Sequence, residues 1–325
     1  MLLTRVNLII IILSSISLCA CQPITPKPKQ SFIHSANGSV DAFLSNDSNW
    51  LLVSSQTNQV QLWNLQEQAL TYIWQQSSTK HNPVYLIHIS AGNEYAVLAS
   101  RTEFSLWNMH SGKNIGYWQV KDSNIRDIVV NRTGSKVVLG KSNGDILIFN
   151  PQTQEQATFF AHSQKINQIA LSNDGQYLIS ASNDYTALLW DINKQTIIQR
   201  FVHPQRVTQV AISADNQLIF ASSGAYAAIY DSKSGNEVSR LSQKNHQQSY
   251  TAVRFSADSN WLATGSPDRQ LMLWQVQTGK LVNQWQVAIK QDNPISGAIV
   301  YSLAFKDGMI LSDSSSGITE YWRYK

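Results

Sequence analysis

Two parts of the sequence combine a histidine, a hydroxyl residue, an aspartate and a tryptophan at matching spacing. The two sets are His162, Ser180, Asp184 and Trp190, and His246, Thr264, Asp268 and Trp274. In each set the histidine lies 22 residues before the aspartate, and the aspartate lies six residues before the tryptophan. A hydroxyl, an imidazole and a carboxylate are also the groups of a nucleophilic triad, so hydrolytic chemistry is one use to consider.

The same side chains have a structural use. A buried indole N–H, an imidazole and a carboxylate each need a hydrogen-bond partner, and together they can satisfy one another. Two copies 84 residues apart would require two separate active sites, and the sequence contains neither an oxyanion loop nor a G-x-S-x-G elbow. We therefore interpret both sets as structural hydrogen-bond sets and expect no enzymatic activity.

Other kinds of chemical site are not indicated. The seven histidines are scattered, and none has a second ligand at the spacing of a metal site. The sequence contains no glycine-rich phosphate loop and no 12-residue calcium loop. A net charge of +4 on 325 residues does not amount to the concentrated basic stripe of a nucleic-acid binder. We expect no metal, no cofactor and no nucleic-acid partner.

The elements that would position these residues form a periodic array. Seven aromatic residues end apolar segments at intervals of 40 to 48 residues, namely Trp63, Trp107, Phe149, Trp190, Tyr230, Trp274 and Trp322. Upstream of each one, a polar turn separates two apolar runs, which predicts a hairpin. Each repeat is therefore predicted to form four short strands. A sheet of that size buries both faces only when it is stacked between neighbours.

The pattern resembles the WD-repeat β-propeller family over nearly all of residues 31–325, since the period and the Trp190-Asp191 pair are typical of its blades. The resemblance implies an all-β fold, a seven-bladed β-propeller of four-stranded antiparallel blades. It also implies that the histidine, hydroxyl, aspartate and tryptophan set bonds within one blade. The fourth and sixth repeats match this set, whereas Gly224, Arg101 and Thr57 replace the aspartate in the fifth, second and first.

The last repeat has no residues left for its outermost strand, because the sequence ends at Lys325 soon after Trp322. The segment QSFIHS, residues 30–35, is similar to the outer strands of other repeats, with Phe32 at the place of Phe160 and Phe201. In this family an N-terminal strand can complete the final blade. We therefore expect residues 30–35 to close the ring and remove an exposed sheet edge.

The N-terminal residues differ from the array. Residues 1–20 contain one arginine and a 13-residue apolar run, which is too short to span a bilayer and indicates a signal peptide. The following LCAC resembles the lipobox of bacterial lipoproteins, which implies cleavage before Cys21 and a palmitate-type lipid on that residue. Residues 21–29 are predicted to form a proline-rich tether. Because Gln22 follows the lipidated cysteine, the resemblance implies an envelope protein that is held in the outer membrane and faces the periplasm.

The predicted function is that of a non-catalytic protein–protein interaction scaffold, a monomeric propeller over residues 30–325 that binds a protein or peptide in the cell envelope. In WD-repeat propellers one face is built from the loops between second and third strands. Arginine and tyrosine are enriched in interface hot spots, so these loops supply the candidate contact residues. The candidates are Arg101, Lys141, Tyr185, Tyr226 and Arg269.

An alternative function follows from two further segments. TGKLVNQW (278–285) and SGKNIGYW (111–118) resemble the Thr-Gly…Trp docking motif of quinoprotein-type propellers. That resemblance implies a role in outer-membrane protein assembly or in cofactor-dependent oxidation. The separation of six residues between glycine and tryptophan is longer than in that motif, and a turn followed by an outer strand explains both segments equally well.

Overall fold

The computed structural model describes residues 27–35, 37–55, 59–76, 83–242, 249–289 and 297–325. Within these residues the chain forms 28 strands in seven four-stranded antiparallel sheets. The predicted all-β class and seven-bladed propeller are confirmed. The signal segment, Cys21 and most of the tether lie outside the described residues, and none of the described residues belongs to a helix that is long and apolar enough to cross a membrane.

The strand that comes first in the chain, β1 (Gln30–Ile33), belongs to the last blade. From the axis outwards, blade 1 contains β2 (Asp41–Leu44), β3 (Trp50–Ser54), β4 (Gln59–Asn64) and β5 (Ala69–Gln75). Blade 2 contains β6 (Leu86–Ile89), β7 (Tyr95–Ala99), β8 (Glu103–Asn108) and β9 (Asn114–Gln119). Blade 3 contains β10 (Ile125–Val130), β11 (Val137–Lys141), β12 (Asp145–Phe149) and β13 (Gln156–Phe160).

Blade 4 contains β14 (Ile166–Leu171), β15 (Tyr177–Ser182), β16 (Thr186–Asp191) and β17 (Thr196–Val202). Blade 5 contains β18 (Gln209–Ile212), β19 (Leu218–Ser223), β20 (Tyr226–Asp231) and β21 (Glu237–Arg240). Blade 6 contains β22 (Ala252–Phe255), β23 (Trp261–Gly265), β24 (Gln270–Gln275) and β25 (Lys280–Gln286). Blade 7 contains β26 (Val300–Lys306), β27 (Met309–Ser314), β28 (Ile318–Arg323) and, outermost, β1.

The position of a strand within its blade explains its sequence. The second and third strands lie between neighbouring blades on both faces, and β16 is buried at all six of its positions. The outermost strands are more exposed, and β13 alternates between exposed and half-buried residues because only one of its faces contacts a neighbour. Each interface between blades is an apolar core, for example where the rings of Trp74 and Trp107 stack with centroids 5.1 Å apart.

The ring closes as the sequence predicts. β1 pairs antiparallel with β28, so that Gln30 faces Tyr321 and Phe32 faces Thr319. The ring of Phe32 also meets the ring of Trp63 edge-on, with centroids 5.4 Å apart, and so joins the last blade to the first. The predicted closure by residues 30–35 is confirmed, and it leaves the outer edge of β28 paired.

The innermost strands surround a cavity of about 420 Å³ on the propeller axis. Polar side chains that line it accept backbone N–H groups from the neighbouring blade, which ties adjacent inner strands together. These contacts are Asp41 with Ile87, His88 with Val130, Asp127 with Ile169, Gln168 with Val210, and Ser302 with Leu44. In the described part of the chain, side chains on the axis that accept a backbone N–H therefore join five of the seven junctions between blades.

The two ends of the propeller carry different turns. We call the end that carries the turns between second and third strands, with Gly144, Tyr185 and Gly317, the upper face. The segments that lead into each blade lie on the same end. The opposite end, the lower face, carries the turns between first and second strands and between third and fourth strands, including Gly175 and Gln195.

Candidate partner-binding face

The structure joins the four residues of the blade 4 set by hydrogen bonds. The Nδ1 atom of His162 lies 2.9 Å from Asp184 Oδ2, and its Nε2 atom lies 2.8 Å from Ser180 Oγ. Trp190 Nε1 donates to the same hydroxyl at 3.1 Å. The order of the groups is that of a nucleophilic triad, but Ser180 is 0 % exposed and its oxygen is already bonded to the indole. A substrate cannot reach this hydroxyl, so the set holds strands together.

The electrostatics of this set are those of a structural network. Burial lowers the pKa of His162, although Asp184 acts to raise it. The lowered pKa keeps the imidazole neutral. Although burial acts to raise it, the pKa of Asp184 is lowered overall by hydrogen bonds from Thr186 and His162. Thr186 Oγ1 donates to Asp184 Oδ1 at 2.7 Å, so the carboxylate is held by its own turn as well as by the histidine.

Blade 6 repeats part of this arrangement. Trp274 Nε1 donates to Thr264 Oγ1 at 2.8 Å, and both residues are buried. Asp268 lies on the turn that follows and is exposed. His246, the fourth residue of the predicted set, lies outside the described residues. The hydroxyl-to-indole bond is thus common to blades 4 and 6.

Two further buried sets were missed at the sequence level. In blade 7, Trp322 Nε1 donates to Ser312 Oγ at 2.8 Å, and Asp313 lies 2.8 Å from the imidazole of His34. In blade 5, His203 lies 3.1 Å from Ser223 Oγ and 3.3 Å from the hydroxyl of Tyr230. Ser312 precedes Trp322 by ten residues, the same separation as Ser180 from Trp190, and that spacing was the signal available in the sequence.

Three of the five candidate contact residues are engaged within the propeller. Lys141 is 1 % exposed, and its Nζ lies 2.6 Å from Asp122 Oδ2 and 3.4 Å from Asp145 Oδ2. Its assignment as a partner contact is therefore corrected, because an ion-paired lysine inside the blade cannot reach a partner's surface. Its ammonium group is shared between these two carboxylates.

Tyr226 and Arg269 are partly exposed, but their polar groups are occupied. The Tyr226 hydroxyl donates to Glu237 Oε2 at 2.7 Å, and the guanidinium of Arg240 lies 4.3 Å from its ring centroid. Arg269 donates to the carbonyl of Val287 from Nε at 3.0 Å and from Nη2 at 2.8 Å. Both side chains therefore fix turns of the upper face in place.

Tyr185 and Arg101 remain on the surface. The side chain of Tyr185 is 49 % exposed, and its hydroxyl forms no hydrogen bond with any residue in the described part of the chain. Arg101 is exposed, with its guanidinium 5.8 Å from the ring centroid of Tyr85, which is itself 40 % exposed. Together these side chains provide aromatic and cationic contact area on the upper face.

The backbone of Tyr185 is also unusual. Its φ of 70° lies in the left-handed region, where a bulky residue is rare and glycine is favoured. The equivalent turns of blades 3 and 7 use glycine, with Gly144 at φ 95° and Gly317 at φ 74°. Blade 6 has Arg269 at φ 68° in this turn, but its guanidinium is bonded to Val287, whereas blade 4 places an exposed aromatic ring there.

The two segments that resemble a quinoprotein docking motif form outer strands after a turn. Trp285, in β25, is 4 % exposed and packs against Trp322 with centroids 6.1 Å apart. Trp118, in β9, packs against Phe149 with centroids 5.0 Å apart. Both tryptophans contribute to cores between blades. Across the residues that the structure describes, no group of three histidine, cysteine, aspartate or glutamate side chains could hold a metal ion.

Comparison with known proteins identifies the family. A family profile described as the NWD2 C-terminal beta-propeller matches residues 75–296, which is more than half of the chain. The chain belongs to this propeller family. The predicted resemblance to WD-repeat propellers is thereby confirmed. A curated relative, eukaryotic translation initiation factor 3 subunit I of Phaeosphaeria nodorum, is 41 % identical over 56 residues, or 17 % of this chain and 16 % of the relative.

These matches correct the predicted localisation. The NWD2 propeller family and the relative from Phaeosphaeria nodorum point to a eukaryotic protein rather than a protein of a bacterial envelope. The localisation was inferred from the signal segment, the LCAC motif and Gln22, which together cover only the first 22 residues. Lipid attachment at Cys21 lies outside the described residues and stays a prediction.

Proposed function

We propose that this propeller is a non-catalytic scaffold that holds a protein partner on its upper face, with Tyr185 as a contact residue. The observation that carries the proposal is the exposed ring of Tyr185 in a left-handed turn. Retaining a bulky residue there costs about 1 to 2 kcal/mol relative to an ordinary backbone conformation. A residue in a strained backbone conformation whose hydroxyl has no hydrogen bond within the described part of the chain is a reason to infer a function for its side chain.

The family supports the same function. A WD-type propeller presents a rigid ring of turns on which a partner can dock, and such turns carry binding residues on a fixed scaffold. The relative from Phaeosphaeria nodorum is, by its name, one subunit of a translation initiation factor. Tyrosine combines a large apolar ring with a polar hydroxyl, which suits it to the centre of an interface.

Site-specific photo-crosslinking tests the proposal. A photoreactive phenylalanine derivative replaces Tyr185 in one full-length variant and Gln195 in the other, and both are expressed in the native host. Gln195 is the matched control, because it is exposed, has φ 59° and lies in the same blade on the lower face. We expect a discrete crosslinked partner from position 185 and none from position 195. Crosslinking at 195 alone, or at neither position, would contradict the proposal.

A further inference from the structure

Two cationic residues belong to segments that are bonded to the turn of Tyr185 on the upper face. Lys165 leads into blade 4, and its carbonyl accepts the N–H of Asn183 at 3.1 Å. Arg206 leads into blade 5, and the next residue, Val207, donates its N–H to Ser182 at 3.0 Å. Both cations therefore flank the turn that ends in Tyr185, one on each side.

A third cation extends this group to the axis. Arg126 is exposed and lies at the mouth of the central cavity, at the start of β10. Asn167, at the start of the neighbouring β14, lines the same mouth and donates to Asn183 at 2.9 Å and to Val207 at 2.7 Å. The cavity mouth is thus continuous with the turn of Tyr185.

The carboxylates near this region are already occupied. Asp184 is bonded to His162 and Thr186, and Asp122 and Asp145 approach Lys141. Asp127 accepts the backbone N–H groups of Ile128 and Ile169. In the described ranges, none of Arg126, Lys165 and Arg206 has an ion-pair partner. Three cations outside the ion pairs of the described residues therefore accompany one exposed aromatic ring, with Arg126 also near the carboxylate of Asp127.

We propose that the partner presents an acidic, extended protein segment to the upper face, an inference that rests on the proposed function. Its carboxylates would meet Arg126, Lys165 and Arg206, and one apolar side chain would pack on the ring of Tyr185. Guanidinium groups bind carboxylates through paired hydrogen bonds, which favours aspartate and glutamate as the recognised residues.

Charge distribution favours a peptide over a nucleic acid. The net charge of the chain is only +4, and the three cations lie on segments next to the turn of one aromatic residue instead of forming a long stripe. Nucleic-acid binders commonly neutralise about six to ten phosphates along such a stripe. A short acidic segment needs only the few contacts that this surface provides.

Panning of a random peptide library on the immobilised full chain tests the inference. Enriched peptides are synthesised with a fluorescent label, and their dissociation constants are measured by anisotropy at low and physiological salt. We expect enrichment of acidic peptides whose binding weakens with salt. The double variant Lys165→Glu/Arg206→Glu should weaken it by about tenfold or more, which corresponds to about 1.4 kcal/mol. Lys194→Glu/Lys233→Glu makes the same charge change on the lower face of the same two blades and should leave binding unaltered.

The other outcomes overturn the inference in distinguishable ways. Neutral or basic peptides that lose binding in Tyr185→Gly would refute the acidic partner while leaving the proposed function intact. Peptides that bind the Tyr185→Gly variant as tightly as the wild-type protein would contradict both the acidic segment and the proposed function. A failure to enrich any peptide would refute the proposal that the partner presents an acidic segment. Tighter binding of a labelled oligothymidylate, abolished by Lys165→Glu/Arg206→Glu, would assign the surface to nucleic acid.

Discussion

The imidazole of His34 lies 2.8 Å from the carboxylate of Asp313, although 279 residues separate the two in the chain. Both side chains are 0 % exposed. His34 directly follows β1, and Asp313 lies two strands further in, on β27. Thr319 of β28 donates to the same carboxylate oxygen at 2.6 Å. One carboxylate therefore joins all three outer strands of the blade that closes the ring.

Removal of this carboxylate should weaken the closure. We expect Asp313→Ala to lower the free energy of unfolding by about 3 to 5 kcal/mol, because it leaves a buried histidine and a buried hydroxyl without their acceptor. Urea denaturation followed by tryptophan fluorescence measures the change. Lys325→Ala is the control, since its exposed ion pair with Asp258 should contribute less than about 1 kcal/mol. Equal losses in the two variants would refute the role of the pair.

Asp127 lines the central cavity, and its pKa predicts that stability depends on pH. Desolvation raises the pKa of Asp127 to about 7, so the folded protein retains a proton that the unfolded chain releases near pH 4. The contribution of Asp127 to the free energy of unfolding is therefore greatest at about pH 4 and falls as the pH rises to about 7. Asp127→Asn removes this titration, and its amide oxygen can still accept the N–H of Ile169, as Gln168 does for Val210.

Urea titrations across that pH range test the assignment. Relative to Asp127→Asn, the wild-type protein should be more stable at pH 4 than at pH 7.5. The comparison between the two proteins cancels the carboxylates elsewhere whose pKa values are lowered, such as Asp174 and Asp215, which lose stability as the pH falls. A difference in stability that does not change with pH would show that Asp127 does not titrate in this way.

The blades and the closing strand were predictable because their signals repeat. Each blade places an aromatic residue at the same strand end, and Phe32 occupies the place of other outer-strand phenylalanines. The buried pair of His34 and Asp313 was not predictable, since Asp313 lies nine residues before Trp322 and not six. The burial of Lys141 also escaped sequence reasoning, because its partner Asp122 comes from the preceding connection and not from a repeated position.

The hydrogen bonds of Arg254 indicate a second contribution to ring closure. From β22 it donates to the carbonyl of Leu303 in blade 7 and to the carbonyl of Leu44 in blade 1, each at 3.0 Å, and it also bonds Asn46. Arg254→Met should lower the free energy of unfolding by about 2 to 4 kcal/mol, because three acceptors lose a charged donor. Urea denaturation again supplies the measurement.

Arg240 provides a control for this variant. Its side chain is 55 % exposed and pairs with Glu237, so Arg240→Met should cost less than about 1 kcal/mol. Arg254→Lys should recover only part of the loss, since one ammonium cannot reach acceptors on two blades as the planar guanidinium does. Full recovery in Arg254→Lys would mean that charge alone matters and that the three directed bonds do not.

The hydroxyl of Ser180 should matter for stability. Ser180→Ala leaves the indole N–H of Trp190 and one nitrogen of His162 without a partner in the core, at a cost of about 2 to 4 kcal/mol. Thermal and urea unfolding measure this loss. Ser163→Ala is the matched control in the same region, because Ser163 is exposed and bonds Asp184 through its backbone. Similar stability in the two variants would contradict the structural role of the hydroxyl.

Variants in the left-handed turns distinguish a role in folding from a role in partner binding. Tyr185→Gly relieves about 1 to 2 kcal/mol of backbone strain and adds about 0.5 to 1 kcal/mol of chain entropy to the unfolded state. Its free energy of unfolding should therefore stay level or rise by up to about 1.5 kcal/mol. The partner that crosslinks at position 185 should nevertheless be captured at least about tenfold less by this variant, because the aromatic contact is lost.

In blade 3, the variant Gly144→Ala should lower stability, in contrast to Tyr185→Gly. A Cβ atom at Gly144 would lie 2.3 Å from the carbonyl oxygen of His162, and the residue has φ 95°. This variant should lose more than about 2 kcal/mol of unfolding free energy, since both strain and steric overlap oppose it. If Tyr185→Gly also destabilised the protein by that amount, the ring of Tyr185 would be a structural element of blade 4 and not a surface kept for a partner.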